Sequence, residues 1–96
     1  MRADYDSKAN AISIVLSDAT QAERADQVHQ RAVMALHGNR PVELQLLYPD
    51  LGIDEPLGAV CRAYDLDEEA LAAAARAALA APDRSVTLEV AQTATA

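Results

Sequence analysis

The chain has 96 residues, 51% of them hydrophobic, with three Tyr as its only aromatics and a formal net charge of -7. That length suits one domain, and with no Phe or Trp its core must come from Leu, Ile, Val, Met and Ala. The acidic balance argues against nucleic acid and anionic membrane as partners, since both are bound largely by positive charge, and a lone Cys61 leaves no intrachain disulfide and no Cys-x-x-Cys metal cluster.

In chain order, the first signal is period-two alternation: Ile12, Ile14 and Leu16 share one face, separated by Ser13 and Val15. Ser17 to Thr20, SDAT, reads as a turn. The apolar signal is weak from Glu23 to Val28 and returns in RAVMALH, with Ala32, Met34 and Leu36 on one side. Those two stretches form either one long strand bent near Gln30 or two strands tightly joined. Gly38 to Pro41, GNRP, is the clearest turn, and VELQLLY beyond it gives the clearest strand, with Val42, Leu44 and Leu46 aligned. Residues 3–48 therefore predict a small antiparallel sheet of three to four strands joined by hairpins.

After Tyr48 the pattern changes. PDLGIDEP suits a loop, with Asp54 capping a short helix that runs from about Pro56 to Tyr64. DLDEEALAAAARAALAAP predicts the strongest helix. Asp65 and Glu68 have capping-box spacing, Asp67 is a rival cap, Leu71, Ala75, Ala78 and Leu79 make a narrow apolar face, and Pro82 stops the helix. Val86, Leu88 and Val90 then alternate in a final strand over 85–91, either an edge strand or one exchanged with a second subunit, before a tail expected to fray. The reading is a single α+β domain over 1–96: a β-hairpin sheet at 3–48, a helical segment at 54–82 packing on it, and the final strand.

Candidate chemistry is sparse. His29 and His37 are eight positions apart, about 26 Å on one unbroken strand, too far to share a proton or a metal. His37 beside Gly38 reads as a turn-flanking residue. Cys61 beside Arg62 could be a thiol of lowered pKa, but its spacing from Leu57 points to a buried apolar face. Asp4 and Asp6 share a side of any extended segment, a spacing that identifies no carboxylate pair. No phosphate-binding loop, nucleophile elbow or zinc-protease motif occurs, so no catalytic residue, cofactor or metal is assigned. A small enzyme or ligand-binding protein would have to use His37, Cys61 or Asp6 in a closed cleft.

The charge is uneven. Residues 1–48 carry five basic and six acidic side chains, whereas residues 49–96 carry three and nine. Asp50, Asp54, Glu55, Asp67, Glu68 and Glu69 are the candidate partner-binding residues, able to draw a small basic protein by complementary potential. Asp67, Glu68 and Glu69 also have a structural reason to stand at a helix start.

YDSKANAISIVLSD at the start and RPVELQLL later resemble the small bacterial family DUF2283. Tyr5, Asp6, Ala11, Ile12, Ile14, Leu16 and Ser17 carry the first part of the likeness, and Val42, Leu44, Leu46 and Leu47 the second. Asn10 stands where an acid is usual, Ser13 where an aromatic is usual, and Glu43 where glycine is usual. The resemblance covers about residues 3–48 and implies a small antiparallel sheet with no assigned enzyme activity. It also implies that a small toxin-like protein is a partner to consider.

Together these features predict a non-catalytic interaction module, homodimeric, neutralising a small basic partner in an antitoxin-like manner; a purely structural self-assembling protein is the remaining alternative. Asp4, Asp6, Lys8 and Asp18 break any apolar leader in the first twenty residues, and no long uncharged span follows, so a cytoplasmic location is expected.

Overall fold

A computed structural model describes residues 1–17 and 21–88. The expected turn at 18–20, the end of the final strand at 89–91 and the tail lie outside the described residues. The elements are β1 (Arg2–Asp6), β2 (Ala11–Val15), β3 (Arg24–His29), β4 (Ala32–His37), β5 (Arg40–Leu47), α1 (Asp54–Tyr64), α2 (Glu68–Ala80) and β6 (Ser85–Thr87), with a 3-10 turn at Pro49–Leu51.

All six strands join one antiparallel sheet in the order β3-β4-β5-β2-β1-β6. This corrects the expectation of three to four strands. The strand that no expectation covered is β1, RADYD, which opens on the same three residues as RADQVH of β3. Charge masks the period-two signal in both. The choice left open near Gln30 resolves into two strands, because β3 and β4 form a hairpin there, with a register shift between Gln27 and His29. The final strand pairs with β1 of its own chain, Ala3 opposite Val86, as an edge of the sheet.

Local chemistry sets the hairpins. Asp6 Oδ1 accepts the backbone N–H groups of Lys8 and Ala9, closing the β1–β2 turn, and Asn10 leaves it at φ 54. Between β4 and β5 only Gly38 takes positive φ, at 61, as the first central residue of a type II′ turn. The β3-β4-β5 meander then returns to lie beside β2, a Greek-key arrangement.

One face of the sheet is covered. Ile12, Ile14, Ala32, Met34, Leu36, Leu44 and Leu46 are buried there beneath α1, which lies over β3, β4 and β5, and α2, which lies over β1, β2 and β6. Full burial of a Leu, Ile or Met side chain contributes about 1.5–3 kcal/mol, so these larger side chains, and not alanine, carry most of the core energy. Alanine contributes proximity. Ala72, Ala74, Ala75 and Ala78 are buried in α2, a broader face than the expected stripe, and buried Ala3 on β1 has no bulk to hold the helix off.

The helix ends differ from the expected caps. Asp54 is the first residue of α1 and not its cap; Ile53 holds the cap position, with no side-chain hydrogen bond. The capping box of Asp65 and Glu68 does not form: Asp65 ends α1 in the left-handed conformation, φ 55, and Asp67 caps α2 by accepting Ala70 N–H at 3.2 Å.

Candidate functional site

The enzyme alternative requires His37, Cys61 or Asp6 to meet another polar group in a cleft. Asp6 and His37 stand at opposite ends of the sheet. Asp6 pairs with Ala11 and Ala11 with Leu47, whereas His37 pairs with Arg40, and the seven-residue separation along β5 amounts to about 23 Å. His37 is exposed and donates from Nδ1 to the Gln21 carbonyl at 3.0 Å, with Glu23 Oε2 at 3.5 Å. Cys61 is buried, and burial first, then the charges of Glu68 and Asp67, push its thiol pKa up despite Arg62.

His29 sits beside the β3–β4 turn, opposite Ala32, while His37 lies at the far end of β4. The hairpin therefore keeps the two apart. His29 Nδ1 accepts Arg31 N–H at 3.0 Å, which places its proton on Nε2, 3.8 Å from Glu55 Oε1. Arg31 donates to the Gly52 carbonyl at 2.7 Å and lies 3.8 Å from the same Glu55 oxygen. The cluster clips the β3–β4 hairpin to the start of α1.

A recess of about 410 Å³ is lined by Asp4, Tyr5, Asp6, Ser7, Lys8 and Asp83. Most of its polar groups are committed to holding turns. Tyr5 Oη–H donates to Asn10 Oδ1, the Ser7 hydroxyl and amide donate to Asp83, and Asp6 closes its own turn. Among the described residues no three His, Cys, Asp or Glu side chains are grouped to hold a metal ion. No helix among them is long and apolar enough to cross a membrane.

The six candidate acids are dispersed. Asp50 accepts Asn10 Nδ2–H at 2.7 Å, and Asp54 lies 3.4 Å from Arg76. Glu55 faces His29 and Arg31. Asp67, Glu68 and Glu69 start α2, the Glu68 carboxylate lying by Gly58 of α1. The 11 residues of α1 span about 16 Å at 1.5 Å per residue, with Asp54 and Glu55 at its start, Asp67 beyond its end and the Glu68 carboxylate alongside Gly58 between them. Residues 50–76 nevertheless hold seven acids against Arg62 and Arg76, a net -5 on the helical side.

Among the described residues the sheet face opposite the helices is uncovered, and across β2, β5, β4 and β3 it is poor in charge, whereas Arg2, Asp4 and Asp6 of β1 carry charge on its flank. Register aligns Val15, Glu43, Ala35 and Ala25 in one row across β2, β5, β4 and β3, and Ser13, Gln45, Val33 and Gln27 in the next, with Ala11 opposite Leu47 beyond. Glu43 is the single charge among these ten. Ala25, Val33, Ala35, Glu43 and Gln45 line a shallow depression of about 190 Å³. Tyr48 and Leu51, 54% and 67% exposed, follow directly on β5. Sequence reasoning passed over this face because it looked for chemistry-bearing residue types. Its signal is that RAVMALH is apolar on both sides of the strand.

Comparisons with protein-family models, with curated proteins and with solved structures find no match for this chain.

Proposed function

We propose that this chain is a cytoplasmic, non-catalytic protein-interaction module whose working surface is the uncovered face of its sheet. The observation that carries this reading is β4. Ala32, Met34 and Leu36 fill the core side while Val33 and Ala35 point the other way. An antiparallel strand facing water on one side ordinarily alternates apolar with polar residues, and one apolar on both sides is suited to cover on both. The strand pattern that resembles DUF2283, and the absence of an enzyme activity it implies, belong to the same proposal.

The test is relaxation of methyl signals by a soluble paramagnetic chelate, in dilute buffer and in extract of the producing cells. Val15, Val33 and Leu47 methyls should lose their relaxation enhancement in extract while those of Leu51 keep theirs. Equal enhancement in both media at all four residues would remove the sheet face from consideration.

A second reading, neutralisation of a small basic partner, is favoured by the net -5 of the helical side. With its acids at both ends of α1, such contact would be steered by charge and weakened by salt.

A further inference from the structure

We infer that the occupant of the open sheet face is a second copy of this chain, related by a two-fold axis; this rests on the reading of that face as a contact surface. Three observations select a copy over a different protein.

The first is charge. Copies of a chain carrying -7 repel one another, and residues 50–76 hold a net -5 of that on the helical side. Meeting through the open faces puts the two helical layers outermost. With sheets about 10 Å apart and each helix layer about 10 Å beyond its own sheet, those layers stand about 30 Å apart, well over a Debye length at physiological salt. Meeting helix to helix would press the acids together.

The second is the kind of polarity on the face. Ser13, Gln27 and Gln45 are neutral and each carries both a donor and an acceptor, so each can satisfy its counterpart in an identical face. A two-fold interface needs this self-complementarity, because the same patch is presented by both partners. A surface built for a basic partner would carry acids across its middle, where β2, β5, β4 and β3 have only Glu43; Asp4 and Asp6, with Arg2 beside them, lie on the flanking β1.

The third is relief. Ala25, Ala35 and Val33 around the depression are small, which lets two sheets approach to ordinary face-to-face spacing. Six strands at about 4.8 Å and five residues at about 3.3 Å give roughly 475 Å² per copy, about 950 Å² in all, the size of a weak and concentration-dependent dimer.

Sedimentation equilibrium of the purified chain tests this. The weight-average mass should rise from 10.2 kDa toward twice that value as concentration goes from about 1 µM to about 500 µM. Ala35→Glu and Ala35→Arg, opposite in charge, should each weaken association at least ~10-fold, as should Gln45→Arg on the neighbouring row, whereas Ala73→Glu on the exposed side of α2 should not. Circular dichroism confirms that each variant is folded, and Gln45→Arg, at an exposed position, serves if the Ala35 variants are not. Association should change less than ~3-fold between about 0.05 M and about 0.5 M NaCl. The inference is overturned if the wild type stays monomeric throughout, if folded Ala35→Arg or Gln45→Arg assembles like the wild type, or if salt strengthens association strongly, the mark of acidic layers meeting. A monomer whose open-face methyls are nonetheless shielded in extract would overturn the second copy alone and leave the interaction reading in place.

Discussion

Asp83 joins two turns that lie far apart in the chain. Its carboxylate accepts Ser7 N–H at 2.9 Å and the Ser7 hydroxyl at 2.7 Å, contacts across 76 positions, and its own amide donates to the Tyr5 carbonyl at 2.7 Å. The Ser7 amide, then its hydroxyl, hold the Asp83 pKa below the ordinary carboxylate range; for Asp26 the Arg24 guanidinium and then the Tyr64 hydroxyl do the same. Both groups have folded pKa values below the unfolded value of 3.8. Their stabilisation is therefore complete above the unfolded value and is lost as pH falls through the lowered folded values. Asp83→Ala should consequently flatten the dependence of Tm on pH between about pH 2 and about pH 5, followed by circular dichroism. An acid limb as steep as that of the wild type would show that Ser7 does not depress Asp83. None of this was legible in the sequence, where neither Asp83 nor Ser7 carries a signal of its own. Cys61 was legible, because its spacing from Leu57 already placed it on the apolar side of a helix.

At the scale of elements, the connection Asp65-Leu66-Asp67 assigns opposite duties to two similar residues. Asp65 ends α1 at φ 55, a left-handed conformation in which a side chain is strained and glycine is at ease; Asp67 satisfies an N–H at the start of α2. Asp65→Gly should therefore leave stability unchanged or raise it by up to about 1 kcal/mol, while Asp67→Ala should lower it by about 1 kcal/mol. Urea denaturation monitored at 222 nm separates the two, and a large loss from Asp65→Gly would favour the capping box that the spacing suggests. The helix itself was legible from its alanines, as were the three strands with Ile, Met or Leu at alternate inward positions. Strand β1 was not, and β3 was legible only as one of two alternatives, a separate strand or the first part of a bent one. In β1 the inward residues are Ala3 and Tyr5, set between Arg2, Asp4 and Asp6. In β3 the residues aligned with the core side include Arg24 and Asp26, which sit at the sheet's edge where Asp26 accepts from Tyr64 of α1 at 3.1 Å. An edge position makes such polarity affordable, and sequence alternation gives no warning of it.

At the scale of the whole molecule, charge and covering are divided between two faces: a helical side with most of the negative charge, and an open sheet side where Asp4, Asp6 and Glu43 are set against Arg2. Self-repulsion within one chain of net charge -7 should make it more stable in salt, Tm rising by a few degrees from about 0.02 M to about 0.5 M NaCl in differential scanning calorimetry. A falling Tm would mean that the ion pairs of Arg24, Arg31 and Arg76 outweigh the repulsion. The general arrangement, helices after strands and packed upon them, was legible because alternation stops at Tyr48 and alanine takes over. The strand order was not, since the pairing of β2 with β5 and of β1 with β6 joins segments between which the sequence carries no local signal.

The pairing of Ala3 with Val86 gives synthesis a long wait. During translation β1 can find β2 at once, but its other side has no neighbour until Ser85–Thr87 has left the ribosome. For that interval a row of unsatisfied amides and carbonyls is offered to every nascent chain nearby, the condition under which strands join the wrong molecule. Arg2, Asp4 and Asp6 all point away from the core along this margin, where charge deters stray pairing. The polarity that hides β1 from a reader of the sequence is thus suited to guarding it before the fold is closed.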